Sequence, residues 1–405
     1  MKKTKFTESQ IVAAIKKQES GIATKEICRE LGISDATFYD WKAKYEDIYR
    51  PCMKKANGYF VISLDFELMW GVRDKVIKKT YGKNILGVQT VIPRLLETFN
   101  QHNIHATFAT VGFLFYKNKK EMLDEFPSLL PNYHKHCLSP YGSYMETEVG
   151  SDYITDPYHF APNLVQMIQD TSNHEIGTHT FSHYYCLEHG QNQASFKEDL
   201  CAAISVAKPK GINITSIVFP RNQVNENYLK TCHEMGIIAV RTNEKSWLYN
   251  ARKSDNENKL RRCIRLADAY INLSGHHCYP VPARIKSIPI QIPSSRFLRP
   301  YNPRFSFLES LRLNRIKKSM TYAAKHNKVY HLWWHPHNFG INQDQNFAFL
   351  EKILKHYDYL NKRYGFFSIT MSDLATKALP KYGKQKNYIA RRRRQLNEDY
   401  LPSSL

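Results

Sequence analysis

At 405 residues, with 42% hydrophobic and 23% charged side chains, the chain is long enough for one large domain plus an appendage, and its composition is globular rather than disordered. It contains no run of 18 apolar residues, which excludes a membrane-spanning helix, and the basic N-terminus is not followed by the apolar stretch of a secretory signal. The formal charge of +21, from 58 Lys and Arg against 37 Asp and Glu, makes nucleic acid, anionic lipid and phosphate-bearing substrates the partners to expect. Residues 1–52 hold 10 basic and 8 acidic side chains, so 19 of the 21 excess charges lie beyond them. The eight cysteines are scattered and form no C-x-x-C pair, the usage of reduced thiols in a cytoplasmic protein.

Residues 7–45 read as three short helices. Thr7 and Gln10 form a capping box ahead of an apolar stripe of Ile11, Ala14 and Ile15, and Gly21 stops the helix. The second, TKEICRELG, buries Ile27, Cys28 and Leu31 and ends at Gly32. Ser34 caps the third, DATFYDWKAKY, with Phe38 and Trp41 as its packing pair. This spacing is a helix-turn-helix, whose last helix presents Asp35, Thr37, Tyr39, Asp40 and Lys42 to a groove, with Thr37, Tyr39 and Lys42 as the candidate DNA contacts. The phrases K-x-x-F-T-E-x-Q-I and I-C-R-E-L-G-I-S-D-A-T-F-Y-x-W-K-x-K-Y strongly resemble the DNA-binding segment of insertion-sequence transposases. The likeness ends after Tyr45, with neither the leucine zipper nor a catalytic transposase domain behind it, so the module is either a DNA reader or an insertion-derived remnant. We take it as residues 1–47, followed by a linker over 48–58 in which Met53 is a candidate original start.

Beyond the linker, strand-like runs alternate with helical patterns: 59–64, 105–111, 174–180, 215–220, 236–241, 288–293, 329–334 and 366–370. The alternation predicts an α/β fold of parallel βα units, about seven of them, closing as a barrel over 59–378 with its chemistry at the C-terminal strand ends. Polar clusters fall there. Asp65 and Glu67 share one face of the first strand, a pairing that suits a metal ligand with a general base, or a solvated rim. His179 and His183, four apart in HEIGTHTFSH, would face one way on a helical turn after Gly177. Arg221 follows a buried strand in FPRNQ, and His331, His335 and His337 crowd the run HLWWHPHN.

Together these residues resemble the polysaccharide deacetylases, the NodB-homology group of carbohydrate esterases, over about residues 58–378. HEIGTHTFSH is close to the family's H-E-I-G-N-H-T-x-x-H, HATFATVG is similar to its second strand, FFSITMSDLA to its closing strand and helix, and LWWHPHN to its late L-x-H motif. The resemblance implies a distorted (β/α) barrel that removes acetyl groups from a carbohydrate. It further implies a divalent metal, zinc with cobalt or nickel as alternatives, held by His179, His183 and a carboxylate. Asp65 is the implied base and Glu67 the ligand, the reverse remaining open because Phe66 stands where the family has its second aspartate. His335 matches the acid that protonates the departing amine, with His337 the lesser choice, and Arg221 would hold the aspartate ionised. Trp247, His337 and Asn338 are the candidate substrate contacts.

With no export signal in view, the expected substrate is an intracellular acetylated saccharide, as a sugar nucleotide, a lipid-linked precursor at the inner membrane face or a free glycan, in surface polysaccharide biosynthesis. The tyrosine- and histidine-rich stretch 127–160 and the basic stretch 294–318 are expected either to shape its site or to be solvated loops. The tail 379–405, with Arg391 to Arg394, is expected to be a disordered basic end, with lipid or nucleic acid as its alternatives. The competing reading is a DNA-binding protein whose barrel binds glycan without hydrolysing it.

Overall fold

The computed structural model describes residues 6–19, 22–45, 58–249, 259–282 and 289–378. Residues 48–57 of the linker, Met53 among them, and the basic tail lie outside these residues. The chain divides into two compact units, Met1–Lys55 and Ala56–Leu405.

The first unit holds helices at Glu8–Glu19, Thr24–Leu31 and Asp35–Tyr45. Its capping box forms, with Thr7 N donating to Gln10 Oε1 at 2.9 Å. Gly32 closes the second helix in the left-handed region at φ +62°. Ser34 Oγ accepts from Thr37 N at 3.1 Å to start the third. Phe38 and Trp41 pack in different places: Phe38 on Ala14, Ile27 and Cys28, Trp41 on Ile11, Ile15 and Phe6.

The second unit is built on ten strands: β1 (Tyr59–Phe66), β2 (Ala106–Thr110), β3 (Glu175–Thr178), β4 (Ser216–Val218), β5 (Ala239–Thr242), β6 (Tyr279–Pro280), β7 (Ile290–Pro293), β8 (Arg296–Phe297), β9 (Lys328–Trp334) and β10 (Phe367–Ser368). Their hydrogen-bonded order is β6-β9-β1-β2-β3-β4-β5-β7, with β10 on β1 and β8 on β9. All pairs are parallel except β6 with β9. β7 pairs with β5, and two residues later β8 pairs with β9, so the run 290–297 closes the ring. Seven strand positions result, the distorted (β/α) barrel that the alternation predicts.

Side-chain alternation sorts each strand into two faces. Phe60, Ile62, Leu64 and Phe66 of β1 point outward into the core shared with the helices. Val61 joins Ala109, Val218, Ala239, Ile290, Ile292 and Val329 in a separate interior cluster, closed below by Met371, Leu374 and Ala375 of the last helix. Above that apolar floor the same interior face of β1, β5 and β9 continues as Ser63, Asp65, Arg241 and His331, all buried. The polar residues therefore sit toward the C-terminal mouth, over a dry base.

Two insertions are more structural than expected. In the first, His159 is fully buried between Asp156 (2.7 Å) and the Tyr144 hydroxyl (2.8 Å), and Tyr133 OH accepts from Tyr185 N at 2.8 Å. In the second, Arg296, Arg312 and Arg315 are buried; Arg296 pairs with Asp268 at 3.3 Å and Arg312 with Glu309. These are pegs of the fold rather than solvated loops.

Candidate active site

Asp65 ends the interior face of β1, and both of its oxygens are bound by one guanidinium: Arg241 Nη1 to Oδ1 at 2.6 Å and Nη2 to Oδ2 at 2.7 Å. Arg241 Nη1 also donates to Ser63 Oγ at 3.0 Å and Nη2 to Asn222 Oδ1 at 2.9 Å, and its guanidinium lies 4.3 Å from the Trp333 ring. Burial would raise the Asp65 pKa, but the charge of Arg241, with help from nearby histidines, brings it below the ordinary value.

This overturns the expected place of Arg221. Its guanidinium pairs with Asp74 and lies 4.4 Å from the Tyr185 ring, which in turn edges on His183 at 5.1 Å. The sequence reading missed Arg241. Its one signal was a cation closing an otherwise apolar strand, GIIAVR, at a position that alternation turns into the barrel.

Two residues on, Glu67 sits among four imidazoles. Its Oε2 is 3.0 Å from His183 Nε2 and 3.2 Å from His179 Nε2; its Oε1 is 3.1 Å from His337 Nε2 and 3.7 Å from His335 Nε2. Burial opposes ionisation, yet the surrounding histidines hold the Glu67 carboxyl well below the usual range. Burial pushes His183 down to about 4 against the pull of Glu67. With Asp65 compensated by Arg241, the site keeps an anionic Glu67 beside a neutral His183, an arrangement that calls for a cation.

The donor set fits one. His179 Nδ1 donates to the Val218 carbonyl at 2.8 Å, which fixes the tautomer and leaves buried Nε2 without a hydrogen-bond partner. The ligand atoms of Glu67, His179 and His183 lie within 4.8 Å of one another. Two imidazoles and a carboxylate suit zinc, cobalt or nickel. Gly71 makes room: a Cβ there would fall 1.9 Å from Glu67 Cδ.

The stretch from His179 to His183 is not the helical turn expected. Thr180 and His183 take positive φ, +64° and +60°, as do Leu68 after β1 and Arg221 and Asn222 after β4. Each such non-glycine residue costs about 1–3 kcal/mol and persists only where its surroundings impose it. Here they do. Asp199, from the helix Gln193–Ala207, accepts from Phe181 N at 2.7 Å, from Ser182 N at 3.2 Å and from Ser182 Oγ. Tyr184 N donates to Thr180 Oγ1 at 2.7 Å.

His335, at the end of β9, is the more open histidine, with its side chain 23% exposed and its Nε2 3.7 Å from both Asp65 Oδ2 and Glu67 Oε1. Asn338 Oδ1 lies 3.1 Å from His335 Nδ1 and so orients the ring instead of meeting substrate. His337 is also misplaced as a substrate contact: it is buried, between Glu67 and the Tyr81 hydroxyl at 2.8 Å. Trp247 is 67% exposed on the segment after β5, outside the Glu67 cluster. Among the helix-turn-helix candidates Tyr39 is exposed, whereas Thr37 Oγ1 meets Ser34 Oγ at 2.9 Å and Lys42 donates to Gln18 Oε1 at 2.7 Å.

The barrel thus carries at its C-terminal mouth a buried carboxylate–histidine cluster that could hold a metal ion. Residues 72–240 match the family model described as polysaccharide deacetylase, and residues 1–51 the one described as transposase. The chain therefore carries a stretch that matches the polysaccharide deacetylase family behind one that matches the transposase helix-turn-helix. A solved structure of a candidate polysaccharide deacetylase from Mycobacterium smegmatis superposes with a TM-score of 0.50 at 14% identity, over 81% of this chain and 93% of that one, a likeness of fold. In sequence, the chain is 39% identical over 90 residues to Low calcium response locus protein S of Yersinia pestis, 20% of this chain and 99% of that protein. It is 56% identical over 45 residues to the 10 kDa protein A3 of insertion element ISR1 from Rhizobium, 11% of this chain and 51% of that protein. The chain thus spans about half the length of that insertion-element relative.

Proposed function

We propose that the barrel is a metal-dependent deacetylase that hydrolyses the N-acetyl, or O-acetyl, group of a saccharide. The observation that carries the reading is Glu67 with His179 and His183 directly beside an Asp65 whose charge Arg241 compensates. A divalent metal on Glu67, His179 and His183 would supply Lewis-acid polarisation of the scissile carbonyl. Asp65 takes the proton of the attacking water, because Arg241 keeps it ionised and directed while each oxygen retains a free lone pair. His335, tethered at Nδ1 by Asn338, presents Nε2 to the same space and returns a proton to the departing amine or alcohol.

Charge supports a substrate class. Arg299 is half-buried and has no carboxylate partner among the described residues, and burial with the charges of Arg265 and Arg296 lowers its pKa. It lies two residues past Phe297, whose ring is 5.8 Å from that of His335. This supports a saccharide carrying a phosphate, as a sugar nucleotide or a lipid-linked precursor. The seven described cysteines are unpaired, which favours a reducing, cytoplasmic compartment. No described helix is long and apolar enough to cross a membrane.

Acetate release from acetylated sugar nucleotides and glycolipids by the zinc- or cobalt-loaded chain, beside His179→Ala, tests this reading. Release that the variant lacks supports it. Metal-loaded protein silent on every acetylated saccharide, with salt-sensitive duplex binding through residues 1–47, would favour the second reading, a DNA-binding protein with a non-catalytic barrel. The family match to the transposase helix-turn-helix keeps that reading in view.

A further inference from the structure

The carboxylate of Glu67 is shared between two imidazole pairs, and the ligand atoms of Glu67, His335 and His337 also lie within 4.8 Å of one another. Geometry alone would therefore allow a second cation on the Oε1 side. The hydrogen bonds around His337 argue against it. Among the described residues the Tyr81 hydroxyl, on the helix Lys78–Leu86, has two polar neighbours: His337 Nδ1 at 2.8 Å and Asn338 Nδ2 at 3.5 Å.

The Asn338 amide is oriented by its Oδ1, which faces His335 Nδ1 at 3.1 Å, so its nitrogen points at Tyr81 and can only donate. That amide also lies 3.5 Å from His337 Nδ1, so both of its polar neighbours on this side are offered a proton, and the Tyr81 hydroxyl at 2.8 Å is placed to donate to His337 Nδ1. An imidazole that accepts at Nδ1 carries its own proton on Nε2, and here that N–H points at Glu67 Oε1, 3.1 Å away. The imidazolium form would likewise carry a proton on Nε2. In both of these states, unlike the tautomer protonated on Nδ1, His337 offers a cation no lone pair.

We propose that Tyr81 and His337 form a proton-donating arm that holds Glu67 Oε1 and leaves Oε2 as its single metal-ligating oxygen, beside His179 and His183. The proposal rests on the metal-dependent reading above. His337 is thus a positioning residue: it acts through Glu67. The arm also accounts for a glutamate at this place. A side chain one methylene longer than aspartate has an additional torsion to fix, and Gly71 on one side with His337 on the other fixes it.

The test is metal binding by the full-length protein, measured by chelator competition with Zn2+ and by the visible spectrum of the Co2+ form. We expect one equivalent per chain in the wild type. His337→Ala should weaken binding by about 10- to 100-fold and alter the Co2+ spectrum as the carboxylate turns to bind through both oxygens. His337→Gln, whose amide can still donate to Oε1, should restore affinity to within a few-fold. Tyr81→Phe, which removes only the hydroxyl, should give an intermediate loss and decides the matter if His337→Ala fails to fold.

Unchanged affinity and spectrum in His337→Ala and Tyr81→Phe would overturn the arm while leaving the deacetylase reading intact. Two equivalents in the wild type, falling to one in His337→Ala, would make His337 a ligand and overturn it differently. A wild type that binds no metal would remove both the reading and the arm.

Discussion

Arg241 and Asp65 form a two-point ion pair inside the barrel, at 2.6 and 2.7 Å, with neither side chain more than 3% exposed. A pair of this kind is retained for what it imposes, because two buried charges are costly to desolvate and only good geometry repays them. What it imposes here is an ionised Asp65 with fixed oxygens, two residues before Glu67.

Removing one partner should show it. Arg241→Met leaves a buried carboxylate uncompensated and should destabilise the barrel by roughly 3–5 kcal/mol in denaturant titration. Arg241→Lys keeps the charge but not the fork, so the fold should persist with acetate release down about 10- to 100-fold and metal content unchanged. Arg221→Lys, which alters only the Asp74 pair at the rim, should lose far less activity. Equal losses in the two lysine variants would contradict this assignment of roles.

Gly71→Ala isolates the space that Glu67 needs. The new Cβ would stand 1.9 Å from Cδ and 2.0 Å from Oε1 of Glu67, so the carboxylate or the 3-10 turn Leu68–Gly71 must move. We expect metal affinity to fall at least tenfold, a loss comparable to mutating a residue that supports a ligand, with far-UV circular dichroism retained. Elemental analysis after dialysis reads the outcome; full metal content would show that the turn yields freely.

The barrel and the residues of its candidate metal cluster are legible because their signals are local. β1, β2 and β9 are apolar runs bounded by polar residues, and Asp65, Glu67, His179, His183 and His335 sit in short motifs at strand ends. What was not legible depends on partners distant in sequence. Arg241 meets Asp65 across 176 positions, and Glu67 meets His337 across 270. The loop 179–183 was misread because two histidines four apart fit a helical turn, whereas buried Asp199 binds the loop backbone and imposes left-handed residues that no local preference would choose. β6 and β8, two residues each, carry no periodicity to detect, yet β8 closes the ring.

The two units have separate cores, one around Ile27 and Phe38, the other around the strands and helices of the barrel. Deleting residues 1–52 should therefore leave metal stoichiometry and the thermal midpoint of the remainder unchanged. Any salt-sensitive binding to duplex DNA that the full chain shows should weaken in the same deletion, though the basic tail would keep some. A truncated protein that loses its metal or unfolds cooperatively at a lower temperature would show that the barrel depends on the appended module.

Acid should loosen the barrel through its neutral histidines. His174 Nδ1 accepts from Ala106 N at 3.3 Å and packs against Phe99 and Phe108, so it is held uncharged, and burial lowers its pKa to about 4. His331, bonded to Ser63 Oγ at 2.8 Å, is pushed by burial and by Arg241 to about 3. In the unfolded chain both protonate near pH 6.5. Between that value and the lowered one the unfolded state binds more protons, so stability is full above pH 6.5 and is lost as pH falls toward 4. Each pH unit in that window is worth about 1.4 kcal/mol per fully buried histidine, and less for His174, which is only partly buried. Denaturant midpoints measured from pH 7.5 to 4.5 should fall accordingly. His174→Gln, whose amide oxygen can take over the Ala106 N–H, should flatten the slope by up to one proton; a slope identical to the wild type would mean that His174 titrates freely in the folded protein.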